Sequence, residues 1–161
     1  MYLEKPMNKK YTLDNFSKFG QIIFLIILTA SITANAEQKA TQGDFELHYN
    51  TFPSTFLSKE IANTYQITRS KNRGVISLSV LNKSQTPPKA LEADIKITAK
   101  NLLHQNKDVK LIKITEENQA VYYLGTFALN NQEDVNFNIT AKPVNSEETI
   151  TVQFSREFYT D

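Results

Sequence analysis

In the stretch "ITRSKNRG", residues 67–74, three cations recur at every second position: Arg69, Lys71 and Arg73. If the segment is extended, that spacing puts all three side chains on one side, and a planar guanidinium offers paired N–H donors that match a carboxylate or phosphate. Gly74 follows directly, where a turn would leave backbone amides to join them. The chemistry on offer is capture of an anion, whether a small carboxylate, a phosphate or an acidic loop of a protein partner. The structural alternative is that these charges blunt a sheet edge against aggregation, or pair internally with Asp94, Glu116 or Glu117.

Other residue types offer less. His48 and His104 are the only histidines, and neither stands in an H-x-H or H-x-x-E pattern, so no metal site and no cofactor are expected. A hydrolase would have to use Ser54 or Ser70 with His48. There is no G-x-S-x-G elbow for such a nucleophile, and beyond residue 36 only Gly43, Gly74 and Gly125 could build an oxyanion turn. The carboxylate pairs Glu116–Glu117, Glu133–Asp134 and Glu147–Glu148 all fall at predicted turns, where solvated acids are ordinary. No catalytic residue is expected. Phe52, Phe56 and Tyr65 lie close in sequence to the cations. As an exposed cluster they would form a protein-binding patch, because aromatic and arginine side chains dominate interface hot spots; otherwise they pack a core.

The elements that must hold this corner are strands. From Gly43 onward apolar residues recur with period two: Phe45, Leu47 and Tyr49; Ile76, Leu78 and Val80; Leu91, Ala93, Ile95 and Ile97; Leu111 or Ile112 with Ile114; Val121, Tyr123, Gly125 and Phe127; Val135, Phe137 and Ile139; Ile150, Val152 and Phe154. Turn chemistry separates them, in "KSQTPPK", "LHQNKD", "NNQED" and "KPVNSEE". Seven short strands at regular spacing predict an all-β, antiparallel immunoglobulin-like β-sandwich, without the Cys and Trp framework of antibody domains. One segment departs from period two. In "FLSKEIANTY", Ser58 is a helix N-cap, Glu60 lies in the first turn, and Leu57, Ile61 and Tyr65 are spaced four apart. A short helix between the first two strands, lidding one end of the sandwich, is the expectation. Residues 37–42 read as a frayed tail.

Ahead of these strands lies a segment of another kind. A stretch carrying Lys5, Lys9, Lys10 and Lys18 leads into "IIFLIILTASIT" and then "ANAE", the layout of a secretory signal peptide cut after Ala36, with Ala34 and Ala36 in the small peptidase pockets. The apolar run is short against the roughly 20 residues a bilayer span needs. Met7 would be a more typical start than Met1. Removing 36 of the 161 residues leaves 125, a single domain at 37–161, with 14 Lys and Arg against 15 Asp and Glu. That balance argues against a nucleic-acid partner. The chain has no cysteine, so an exported domain would hold together by packing without disulfides. The expected destination is the periplasm, with no membrane span after cleavage.

Taken together, "GDFELHYNTFPSTFLSKEIANTYQITRSKNRGVISLSVLNK", "AVYYLGTFAL" and "VQFSREFYTD" resemble the domain-of-unknown-function 4426 family, small exported proteins of Gram-negative bacteria, from about Gly43 to Tyr159. The most specific part is "STFL" followed by Y-x-I-x-R-S-K-N-R-G. On this sequence the pattern falls on His48, Phe52, Ser54, Thr55, Phe56, Leu57, Tyr65, Arg69, Ser70, Lys71, Arg73 and Gly74. The resemblance implies a periplasmic β-sandwich and supplies no established activity. It strengthens the cationic corner as a binding site. The expected function is therefore non-catalytic: binding of a periplasmic protein partner or an anionic group by Arg69, Lys71 and Arg73 with Phe52, Phe56, Tyr65 and His48. The alternatives are a purely structural arginine cluster and a small serine hydrolase.

Overall fold

Alternation of apolar and polar residues is cheapest to satisfy where two sheets share one core, and the chain does this. The computed structural model describes residues 38–116 and 120–160. Its strands are β1 (Gln38–Gln42), β2 (Phe45–Pro53), β3 (Arg73–Asn82), β4 (Lys89–Leu91), β5 (Ala93–Asn101), β6 (Asn106–Lys107), β7 (Lys110–Thr115), β8 (Val121–Ala128), β9 (Glu133–Pro143) and β10 (Ile150–Phe158). All pairings are antiparallel. One sheet runs β1-β2-β3-β8-β7, with β4 also on β3, and the other runs β10-β9-β5-β6. This is the expected immunoglobulin-like sandwich, with six of the seven predicted runs each falling in one strand and the run from Leu91 to Ile97 divided between β4 and β5. The signal peptide and its cleavage residues Ala34 and Ala36 lie outside the described residues.

Between the sheets lies the main core, built on Leu47, Ile76, Leu78, Val80, Tyr123, Phe127, Phe137 and Ile139. Phe137 stacks on Phe154 at 5.0 Å between ring centroids and meets Phe127 edge-on at 5.3 Å, two of the favoured aromatic geometries. Gly74 and Gly125 give up side-chain volume to this core. A methyl on Gly74 would fall on the ring of Phe127, and one on Gly125 would meet Ile76 and Val109 at 2.6 and 2.8 Å. Gly74 is thus a packing residue inside β3, paired with Pro53 and Phe127, and not the turn with open amides expected from sequence.

Three expectations change. Residues 38–42 are not a frayed tail, because they form β1 and pair along β2 from Gln42↔Phe45 to Gln38↔Tyr49. The run from Leu91 to Ile97 is not one strand. It leaves the first sheet at Leu91 and enters the second at Ala93, so Ala90 and Ala93 face the core and Leu91 does not. Glu92 makes the step, and the Tyr123 hydroxyl fixes the new strand by accepting from Ala93 N at 2.8 Å and donating to Ala93 O at 3.0 Å. The third concerns the helix α1 (Lys59–Thr64). It forms as expected, with the Ser58 hydroxyl accepting from Ile61 N at 3.1 Å. Where a lid on one end was expected, however, the residues that flank the helix, Leu57, Tyr65 and Ile67, pack on the outer face of the first sheet. There Ile67 packs on Val75 and Leu124, joined by Phe52, Leu57, Tyr65 and Ile114. Ala62 is the buried helix residue, while Ile61 is 44% exposed.

Candidate functional site

The corner between β2 and β3 is built by a segment that must turn back on itself. Pro53 pairs with Gly74, and the chain leaves β2 through one turn of 3-10 helix, Ser54–Phe56. Ser54 is fully buried and ties the return limb down: its hydroxyl accepts from Ser70 N at 2.9 Å and shares its proton between the carbonyls of Ser70 and Thr68, at 3.0 and 3.2 Å. Arg69 braces the same limbs from outside, donating from Nη2 to the Thr55 carbonyl at 2.7 Å. Beyond α1, Ile67 N donates to Ala62 O at 2.8 Å and Gln66 takes a left-handed conformation at φ +54°. Both limbs are therefore fixed by bonds a flexible loop would lack.

This frame separates the three cations. Arg73 N donates to Ser70 O at 3.2 Å and Asn72 N to Ser70 Oγ at 3.2 Å, so residues 70–73 form a turn and the extended geometry expected for Arg69, Lys71 and Arg73 is absent. Arg73 opens β3 on its outer face, half-buried, and Lys71 is exposed at the turn. Among the described residues none of the three forms an ion pair with a carboxylate; Glu117, one expected partner, lies outside them.

Arg69 instead joins residues the sequence reading did not single out. It lines a concavity of about 460 Å³ with Lys59, Ala62, Asn63, Gln66, Ile67 and Thr68. Ala62 and Ile67 are buried, and two cations and two side-chain amides surround them. The i, i+4 relation of Lys59 and Asn63 on one helix face was a signal that could have found them. Nearby, Glu60 is held below the usual carboxylate range, first by its own backbone amide and by the Ser58 hydroxyl, with the charge of Arg69 adding to the effect against partial desolvation.

The aromatic cluster divides. Phe52 and Tyr65 are half-buried in the small outer core and do not form an exposed patch. Phe56 is 77% exposed, one residue beyond the carbonyl that Arg69 holds. His48 lies elsewhere, five residues back from Pro53 and so about 16 Å along β2. Its Nε2 is 3.2 Å from Glu46 Oε2, and Glu46 also pairs with Lys39 at 3.3 Å. Burial pushes the Glu46 carboxyl up, but Lys39 and His48 outweigh it and the net shift is downward. The geometry brings neither Ser54 nor Ser70 to His48.

A second polar cluster at this end of the sandwich was missed. Leu129 N donates to Asn72 O at 2.9 Å, and the following turn folds onto Glu133, which is 9% exposed and not the solvated turn acid expected. Lys107 pairs with Glu133 at 2.6 Å, and the carboxylate also accepts from Asn130 N at 2.9 Å and Asn101 Nδ2 at 3.1 Å. Burial alone would raise the Glu133 pKa; Lys107 and the donors of Asn130 and Asn101 outweigh it and hold the carboxyl below the usual range.

A model of the domain of unknown function DUF4426 matches residues 39–161. A crystal structure of a DUF4426 family protein from Pseudomonas aeruginosa PAO1 superposes with a TM-score of 0.67 at 30% identity, covering 80% of this chain and 98% of that one. The GAE domain of GGA2p from Saccharomyces cerevisiae reaches a TM-score of 0.32 at 10% identity, covering 76% of this chain and 94% of that one, a likeness too low to carry an argument. No curated protein matches. A family model spanning the whole sandwich and a solved family member of the same architecture lead to one conclusion: the chain belongs to the DUF4426 family.

Proposed function

We propose that this protein is a non-catalytic binding protein of the periplasm that takes an anionic group of a protein partner at the Arg69 corner. The layout of residues 1–36, basic then apolar then Ala-x-Ala, supports export. Among the described residues no helix is long and apolar enough to cross a membrane. The observation that carries the binding reading is Arg69, braced on the Thr55 carbonyl, lining a concavity with Lys59, neither of them in an ion pair with a described carboxylate, close in the chain to the exposed Phe56. Arg69 has five N–H donors and spends one on Thr55, leaving donors for a carboxylate. Phe56 supplies the apolar anchor that a hot spot needs.

The test is a photocrosslinking residue placed at Phe56 in living cells. A discrete adduct is expected, and its yield should fall about tenfold or more in the double variant Lys59→Ala/Arg69→Ala, the loss of about one charge-assisted hydrogen bond. No adduct, or equal yield from the variant, overturns the reading. A structural role for Arg69 is favoured by its bond to the Thr55 carbonyl. On that reading Arg69→Ala lowers the melting temperature and Lys59→Ala alone leaves the adduct intact.

A further inference from the structure

A strand at the end of a sheet leaves one row of backbone donors and acceptors unmatched, so its outward side chains are ordinarily polar enough to keep other strands away. The end strands β1 and β10 follow this rule. Ala40, Val152 and Phe154 face the core, and the outward positions hold Lys39 and Thr41, or Thr151, Gln153, Ser155 and Glu157. Strand β7 closes the other end of the first sheet and departs from it. Leu111 faces the core, while Ile112 and Ile114 stand on the outer face. Ile112 is 39% exposed, and Tyr122, opposite Ile114 on β8, is 37% exposed.

The ladder fixes which backbone groups β7 leaves open. Glu116 continues the register with β8, donating from N to Ala120 O at 3.0 Å. Successive residues of a strand turn their N–H and C=O to opposite sides, so Lys110, Ile112, Ile114 and Glu116 bond inward to β8. Leu111, Lys113 and Thr115 then face away from the sheet, where no described strand meets them. The outer-face side chains read lysine, isoleucine, isoleucine, glutamate along the strand, with Lys110 and Glu116 both exposed. That order is complementary to itself read backwards. An antiparallel copy centred on Lys113 sets Lys110 against Glu116, Ile112 against Ile114 and Leu111 against Thr115. Moving the register by one same-face step sets Lys110 against Ile114, or Glu116 against Ile112, and loses both ion pairs. Lys113 meets its own counterpart across the axis, and Glu92 at 3.0 Å supplies the counter-charge there.

We infer that β7 is a homodimer interface, two copies joining edge to edge by antiparallel pairing of residues 110–116 about a two-fold axis at Lys113. Such a contact is isologous, so every cross-strand pair away from the axis occurs twice. The ion pairs of Lys110 with Glu116 flank the apolar contacts of Ile112 with Ile114, and the open backbone groups of Leu111, Lys113 and Thr115 find partners. An unrelated strand would have to carry the same charge order in reverse; a second copy carries it by construction. This interface is independent of the Arg69 corner.

The chain has no cysteine, so a single introduced thiol reports the register. In the protein recovered from cells, Lys113→Cys should give a covalent dimer under mild oxidation, because hydrogen-bonded antiparallel partners stand about 5.5 Å apart at Cα, within reach of a disulfide. Thr115→Cys should not, since its counterpart lies four residues along, roughly 13 Å away. Sedimentation of the parent should show a concentration-dependent dimer. Lys110→Glu or Glu116→Lys should weaken it about tenfold or more with unchanged circular dichroism, and Lys110→Glu/Glu116→Lys should restore it. A monomer at every concentration, a dimer indifferent to the single reversals, a double reversal that fails to restore it, or equal crosslinking at positions 113 and 115 each overturn the inference.

Discussion

A single methyl group tests how tightly the corner is packed. Gly74 sits under the ring of Phe127, and that ring is held by Phe137 and Phe158 at 5.3 and 5.7 Å. Gly74→Ala must push an aromatic cluster outward, a change of the overpacking kind that costs roughly 1–3 kcal/mol. The variant should melt several degrees below the parent in a calorimetric scan; an unshifted transition would show that the ring has room to move. The three cations were legible in the sequence as a group, but their arrangement was not. Period-two reasoning assumed an extended segment, and the Ser70 hydroxyl and carbonyl decided otherwise by closing a turn on Asn72 and Arg73. Lys59 escaped notice because its relation to Arg69 exists only once the return limb folds back along α1.

Helix α1 is six residues long, too short to stand without its cap and the outer-face contacts. Ser58→Ala removes the bond to Ile61 N and should weaken the element by about 1 kcal/mol. Hydrogen exchange is the measurement to make. Faster exchange at Ala62 and Tyr65 with unaltered protection in β3 and β9 is expected, since local opening need not involve the sheets. Uniform acceleration across the domain would contradict it. The seven central strands were readable because each buries one face. Strand β1 was not, since "QKATQ" contributes only Ala40 to the core and owes its conformation to the ladder with β2. The switch at Glu92 was hidden for a related reason: Leu91 continues the apolar alternation of Ala93 and Ile95, although the residue that reaches the core is Ala90.

Across the molecule, the Glu133 network ties the turns at Asn101 and Asn130 to β6, and its energetics set the response to acid. The folded-state pKa of Glu133 lies below its unfolded value, so its contribution is complete at neutral pH. It is lost progressively as pH falls from about 5 through the depressed folded value. Glu133→Gln should therefore cost about 3 kcal/mol at pH 7, the scale for leaving a buried lysine without its partner, and less at low pH. Urea unfolding at several pH values checks this: the gap between variant and parent must narrow on acidification, and a constant gap would disprove the assignment. The sandwich as a whole was legible in the sequence because strand period and turn chemistry agree over its length. The pairing of strands was not, because partners such as Arg73 and Ala128 are far apart in the chain. The step at Glu92 carries a kinetic meaning. One uninterrupted ribbon belongs first to one layer and then to the other, clasped at Ala93 by a tyrosine of the opposite layer. Neither layer can mature alone, so this protein should assemble slowly and in one concerted step, on the millisecond-to-second scale of distant strand pairing.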